Sequence, residues 1–452
     1  MTERPDITVT EYLIQFLTRT TLAPDVIGYT NQPESYGRYR LVIVPSGFLQ
    51  DGRPTGMQAP ELPLQRIPAE LPDEESIPLL FGTPQLEMVG HTLVCHADLL
   101  ASSYFLLTDY EQSISTIRDE HGRFPASASL PFRAGFLHRP IVDEYGCYLR
   151  RLLRRVGIDI DEPQAGFERI SLTHDVDLLT QYHSVHGALG GVKGLLTGRG
   201  DRLKTILRSI WSVENDPLFT YAWLLQQDAR LPHAEKILFV KSCIPENQYD
   251  KPGYSLRSGA FRRLVDLCQQ HGATIGLHGS YTSGEGGTQL AAERTRLQEA
   301  LHRLHADDAV SLHRFHFLRY TAPEVLTDTT SNQGQPLAGM TDDYSIGYAQ
   351  MAGFRRGTCH AVRAISLQTG VTQLMLHPLT VMDGTLSDAR YMNQDEDDAY
   401  RYCCDLFRQI HRHHGEVVLL WHNSTVRTDS DTYHRQLYPR LIEQLIRMTG
   451  QS

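Results

Sequence analysis

The chain has 452 residues, with 43 Lys and Arg against 53 Asp and Glu for a formal net charge of −10, and 41% of it is hydrophobic. That acidic balance argues against a non-specific nucleic-acid binder, which needs a basic footprint, and the apolar content excludes wholesale disorder. No stretch approaches the roughly 20 apolar residues of a membrane helix, and the N-terminus lacks the basic segment of a signal peptide. Seven scattered cysteines without a CxxC pair fit free thiols in a reducing compartment. The expectation is a cytoplasmic protein.

In chain order, a helix is expected around Val9–Thr18 and a strand over Tyr39–Val44. Seven prolines between Pro54 and Pro84 fix φ and remove donors, which excludes a continuous helix or a central strand there. Asp98 is placed to cap a helix running to about Gln112. Tyr145, Tyr148, Leu149, Leu152, Leu153 and Val156 recur at helical spacing, and Gly157 supplies a stop. The short acidic segment Asp159–Gly166 separates an N-terminal mixed α/β domain (1–160) from a second domain (165–452).

From Phe167 onward strands and helices alternate. Strands are expected at Arg169–Thr173, Ile237–Val240, Ala273–Leu277, Ala309–Phe315 and Val417–Trp421. Between them lie helical faces: Phe261, Leu264, Val265 and Cys268 before Gly272, the run Leu290–Leu304, and Ala399, Cys403, Leu406 and Ile410 before Gly415. Such alternation implies a mostly parallel sheet, open or closed into a barrel. Between His183 and Asp216 the chain is first glycine-rich, then basic, and Leu203, Ile206, Leu207 and Ile210 share one helical face. That face reads first as an amphipathic helix packed on the sheet, and otherwise as a cover touching a phosphorylated or lipid-linked sugar.

Working residues in α/β sheets gather at the C-terminal strand ends. Here Arg169–Thr173 runs into His174, Asp175 and Asp177, Ala273–Leu277 into His278, and Val417–Trp421 into His422 and Asn423; the strand near Ala309–Phe315 carries Arg314 and leads to His316 and Arg319. Each has an ordinary reading: a turn carboxylate, a core histidine, a structural ion pair. Their common placement is the argument for one cleft. The cluster His411, His413 and His414 ends a helix, where imidazolium complements the helix dipole, and reads as structural.

Two carboxylates two positions apart can divide labour, one ligating a divalent cation and the other taking a proton from water. Asp with His suits zinc, with Co, Ni, Mn or Fe as alternatives. Such a cation acidifies water and polarises a carbonyl, and a histidine such as His422 has an intrinsic pKa suited to protonating a leaving group.

The stretches SLTHDVD (171–177), IGLHGSY (275–281), RFHFLRY (314–320), DYSIGYAQMAGFRRGT (343–358), HPLTVMDGTL (377–386) and LLWHNS (419–424) resemble, in this order, the NodB-homology polysaccharide deacetylases of carbohydrate esterase family 4. SSYFLLTDYEQ, DEHGRF and HRPIVDEY look like the domain of unknown function that accompanies one bacterial branch of that family. The resemblance implies a distorted (β/α) barrel preceded by a smaller mixed α/β domain. It implies Asp175 as catalytic base, Asp177 and His278 as metal ligands, Arg314 as the holder of the base and His422 as the catalytic histidine. Phe317 matches the oxyanion-hole donor through its backbone N–H, with Arg319 and Trp421 as further oxyanion or substrate residues. Asp343 is the best match for the acid that orients His422, with Asp342 as its rival. Thr282 stands where the family has a second metal histidine, and Arg314-Phe315-His316-Phe317 replaces an Arg-x-Pro-aromatic motif. Because His316 lies at a neighbouring strand end, it is the proposed third ligand, with His377 as an outside candidate and a hydrogen bond to Asp175 or substrate as the alternative role for His316.

The expected function is therefore metal-dependent removal of an N- or O-acetyl group from a sugar or polysaccharide, with an acetylated saccharide as partner and no nucleic acid. The competing reading is a non-catalytic sugar-binding or assembly protein on a degenerate barrel. A metallophosphoesterase is weaker, since neither GDxxD nor GNH[DE] occurs. The N-terminal domain is expected to be structural or substrate-presenting, its acids and histidines, such as Asp119 and His121, forming no second metal site. Oligomeric state, sugar and acetyl position are open at this level.

Overall fold

A computed structural model describes residues 7–56, 59–69, 75–183, 203–285, 287–306, 308–320, 339–366, 369–430 and 432–450. The first helix spans Val9–Thr18, where Thr8 and Glu11 form a reciprocal capping box and Leu13, Phe16 and Leu17 turn inward. A four-stranded sheet follows in the order Ile27–Tyr29, Leu41–Ile43, Thr92–Ala97, Gly82–Val89. Among the described residues, the proline-rich stretch contributes Gly82–Val89 at the edge of that sheet and otherwise two- and three-residue strands. Asp98 does cap a helix, accepting from the Ala101 N–H, but that helix spans Leu99–Leu107 and stops short of Gln112. Asp109 adopts a left-handed conformation (φ 55°) and starts a separate turn, Tyr110–Ile114. A long helix, Ile141–Arg155, completes the N-terminal part.

The remainder is built on one curled, nine-stranded sheet. Its strand order is Val362–Ser366, Gly370–Pro378, Asp342–Ile346, Leu312–Phe315, Thr274–Gly279, Glu235–Lys241, Arg169–Val176, Glu416–Leu420, Val381–Met382. All neighbours are parallel except the first pair, which is antiparallel. The segment after Pro378 bridges the two flanks of the curl. Leu379 donates to the Ile346 carbonyl at 2.7 Å and Thr380 to the Val418 carbonyl at 3.0 Å, after which Val381 pairs with Leu419.

Strand alternation sorts the side chains between two faces. Ile237, Phe239, Tyr344, Val418 and Leu420 fill the inside of the curl, whereas Leu238 and Val240 pack outward against helices. One such helix, Gly259–His271, is capped by Ser258, buries Phe261, Leu264, Val265 and Cys268, and ends where Gly272 takes φ 63°. Truncating Leu264 to Ala should remove about 2–5 kcal/mol.

The two parts of the chain share one core. Leu13, Leu149 and Leu152 belong to the same apolar cluster as Leu238, Val240 and Leu374. Buried polar contacts lock them further. Asp109 accepts from Arg355 at 2.9 Å, and Arg355 lies over the rings of Tyr320 (4.7 Å) and Tyr348 (4.5 Å). Asp143 accepts from Thr358 Oγ1 and the Cys359 N–H.

All seven cysteines are free thiols. Among the described residues no helix is long and apolar enough to cross a membrane. The helix Leu203–Trp211 forms as expected, but of its anticipated packing face Ile206 is buried while Leu207 and Ile210 stay exposed. Residues 184–202 of the preceding glycine-rich segment lie outside the described residues. His413 departs from the dipole reading: it is half-buried beside Cys147 Sγ at 3.6 Å, and desolvation pushes it down to about 4, so it is neutral at the helix end.

Candidate metal centre

The strand Arg169–Val176 runs three residues beyond its expected end and carries Asp175 inside the sheet. Thr173 and Asp175 point to the inner face, and His174 points to the other. His174 Nε2 meets Asp228 at 2.9 Å, and Nδ1 meets the Trp421 carbonyl at 2.7 Å. Parallel register then sets the neighbours, with Phe239 opposite Asp175, Lys241 opposite His278 and His278 opposite Arg314. Residues 175–177, 278, 314–316 and 422 thereby meet at one end of the curl.

Arg314 is fully buried and stacks over the Phe239 ring at 4.6 Å. Its Nη1 donates to Asp175 Oδ1 at 3.0 Å and to Thr173 Oγ1 at 2.8 Å, while Nε donates to the Tyr344 carbonyl at 3.0 Å. This fixes one oxygen of Asp175 and leaves Oδ2 facing His278 Nε2 (3.6 Å) and His422 Nε2 (3.9 Å).

Asp177, His278 and His316 bring three ligand atoms within 4.8 Å of one another. Asp177 Oδ1 lies 3.3 Å from His278 Nε2 and 3.0 Å from His316 Nε2. Each imidazole is aimed from behind, His278 Nδ1 by the Arg314 carbonyl at 3.0 Å and His316 Nδ1 by Asp250 at 3.1 Å. Such backing fixes the ring and presents Nε2 outward, as metal-ligating histidines require. Two of the facing atoms, Asp177 Oδ1 and His278 Nε2, are buried without a hydrogen-bond partner. Burial would raise the Asp177 carboxyl, but the imidazoles of His316 and His278 hold it well below the usual carboxylate range. Burial pushes His278 down. His316 is raised, because Asp177 and Asp250 outweigh its burial. The donor set of one carboxylate and two imidazoles fits a borderline divalent cation.

Thr282 takes no part in this cluster; its hydroxyl exchanges hydrogen bonds with Gln289. His377 lies away from it, holding Asp342 and Glu416 at the opposite, N-terminal ends of their strands.

Across the cleft, His422 Nδ1 is 2.7 Å from Asp383 Oδ1, and Asp383 also accepts the His422 backbone N–H at 2.7 Å. Asp383 is fully buried and held at about 2: the His422 charge and hydrogen bond overcome the upward push of burial. Burial lowers His422, but Asp383, Asp177 and Asp175 together raise it to about 10.

This corrects the expectation for Asp343. Its neighbour Tyr344 faces the inside of the curl, so alternation turns Asp343 the other way, onto His313 Nδ1 at 2.7 Å and Ser345. The rival, Asp342, holds His377. Asp383 follows the two-residue strand Val381–Met382, whose register sets Met382 beside Leu420, so Asp383 falls level with Trp421 and its carboxylate reaches one residue on, to the His422 N–H and Nδ1. A strand that short has no periodicity to read, although HPLTVMDGTL contains the residue.

Two further expectations are corrected. Trp421 is buried against Tyr438 (4.9 Å between ring centroids) and His434, because the residue after Leu420 alternates outward; it does not line the cleft. Arg319 turns toward the N-terminal part, donating to the His121 and Tyr281 carbonyls at 2.7 and 2.9 Å.

The cleft has a volume of about 190 Å³, and its walls include Asp175, Asp177, Phe317, Met382, Tyr391 and Arg123. Phe317 and Leu318 are both left-handed (φ 62° and 52°), so the turn that follows His316 is strained.

Residues 6–157 match the model of a family of unknown function (DUF7033). No curated protein and no solved structure matches the chain. The matched segment is not remote from the cleft: Arg123, which belongs to it, reaches the cleft wall, a contact that no spacing in DEHGRF discloses. Asp119 engages Arg123 at 2.8 Å, and one acid of the matched segment, Asp143, joins Cys359 and His360 in a second group of side chains close enough to hold a metal.

Proposed function

We propose that the protein is a metal-dependent hydrolase that removes an acetyl group from a sugar or polysaccharide, on a distorted (β/α) barrel of the NodB type. The observation that carries this reading is the pair of buried, unpartnered ligand atoms, Asp177 Oδ1 and His278 Nε2, with His316 beside them and two differently held groups facing them. Asp177, His278 and His316 would hold the cation, zinc above all, with Co, Ni, Mn or Fe as alternatives. Bound there, it supplies acidification of water and polarisation of the acetyl carbonyl. Asp175, with Oδ1 tied to Arg314, offers Oδ2 as the proton acceptor. His422, oriented through Nδ1 by Asp383, presents Nε2 on the other side of the cleft and protonates the departing amine or hydroxyl. The backbone N–H of Phe317 would stabilise the oxyanion. Since His316 offers a third ligand atom beside Asp177 and His278, the lack of a histidine at Thr282 counts less for a non-catalytic reading. Arg319 and Trp421 have no part in this chemistry. The free thiols agree with a cytoplasmic location.

The test is direct. Purified protein should contain close to one equivalent of a divalent metal per chain and release acetate from at least one member of a panel of N- and O-acetylated saccharides. Stoichiometric metal with no release from any member would favour the binding-protein reading, and absence of metal affinity would remove both the ligand set and the reaction.

A further inference from the structure

The turn that follows His316 holds two successive non-glycine residues in the left-handed region, Phe317 and Leu318. Each such residue is strained and persists only when its surroundings over-determine it. Inside the turn, the Arg319 and Tyr320 N–H groups bond to the His316 and Leu318 carbonyls at 3.2 Å each. Those long bonds do not account for the strain. The external clamp comes from the N-terminal part of the chain. Arg123 Nη1 donates to the Phe317 carbonyl at 2.8 Å, and its Nε is fixed on Asp119 Oδ2 at 2.8 Å. Asp119 is itself held by Gln350 at 2.9 Å. The His121 ring lies against Phe317 with centroids 4.7 Å apart, and its carbonyl receives Arg319. Arg123 is 6% exposed, so its charge is committed to this arrangement.

We infer that Arg123 is a positioning residue for the cleft: it holds the Phe317 carbonyl so that the Phe317–Leu318 turn keeps its left-handed geometry, making residues 119–123 part of the site's machinery. A peptide unit is planar, so the held Phe317 carbonyl fixes the Leu318 N–H in the same plane; the Phe317 N–H lies in the preceding plane and is set from it through the left-handed backbone of Phe317 (φ 62°, ψ 13°). The catalytic consequence rests on the deacetylase reading, in which the Phe317 N–H meets the developing oxyanion. His316 is anchored separately through Asp250, so the metal set does not depend on Arg123.

The experiment compares full-length Arg123→Ala, Arg123→Lys and Asp119→Asn with the parent protein. Hydrogen exchange of the Arg319 and Tyr320 amides, read on a peptide covering 314–320, should quicken at least about tenfold in Arg123→Ala and less in the other two, with unchanged metal content. Acetate release should show kcat down by about 30-fold, with KM within twofold, since a misaimed donor loses part of the 10²–10³ such donors supply. Millimolar guanidinium, well below denaturing levels, should restore part of the turnover of Arg123→Ala. Unchanged exchange in Arg123→Ala overturns the inference whatever the activity, as does a turnover loss that tracks loss of metal. Quickened exchange in a protein whose parent releases no acetate upholds the clamp and refutes the deacetylase reading instead. Should Arg123→Ala fail to fold, the same two readouts on Arg123→Lys and Asp119→Asn decide it.

Discussion

His377 offers a pH test of the strand ends opposite the cleft. Its Nδ1 lies 2.9 Å from Glu416 and its Nε2 2.9 Å from Asp342, while the Tyr344 ring stacks on it at 4.3 Å. Both ring nitrogens donate to carboxylates, which only the imidazolium can do. Burial lowers its proton affinity, but Asp342 and Glu416 outweigh that and raise it to about 9, from 6.5 in the unfolded chain. The folded state therefore binds this proton more tightly. Its stabilising contribution is complete below pH 6.5 and is lost as pH rises through about 9. At about 1.4 kcal/mol per tenfold change in proton affinity, that gap is worth roughly 3 kcal/mol. The perturbation is a change from pH 6 to pH 9.5 applied to the parent and to His377→Gln, whose amide does not titrate. The assay is urea unfolding at both pH values. The parent should lose about 3 kcal/mol more than the variant across this window. Parallel losses would refute the reasoning, because other groups titrating over the same range act on both proteins alike.

Asp175→Asn should abolish acetate release with metal content intact, whereas Asp177→Ala should lose both; elemental analysis beside the activity assay separates them, and equal metal loss would dissolve the division of roles. His316→Ala should lower metal affinity at least about tenfold, and adding Thr282→His should not restore it, since Thr282 is engaged with Gln289 outside the cluster; metal titration of the single and double variants checks both. Asp383→Asn should cut turnover at least about 100-fold by leaving His422 unoriented. Asp343→Asn should leave turnover within twofold and instead lower thermal stability through His313, and the reverse pattern would restore Asp343 as the orienting acid.

Much of the secondary structure was legible because local rules govern it. The helix Val9–Thr18 has the bounds read from its pattern, and Gly272 closes its helix where the periodicity stops. The gathering of Asp175, His278, Arg314, His316 and His422 was legible for a related reason. Parallel strands joined by helices must all point the same way, so polar residues at successive C-terminal ends converge. What sequence could not supply was whatever depends on register, alternation or contact between distant segments. Asp343 was expected beside His422, but the inward placement of Tyr344 turns it onto His313. Asp383 reaches His422 through a strand of two residues, too short for a period of two to declare itself. Trp421 follows the same alternation outward. Asp250 and Arg123 come from a loop and from the opposite end of the chain. Chain order alone determined which residue types stand at the strand ends; only tertiary packing, which sets side-chain direction and joins segments remote in sequence, decided which of them face one another.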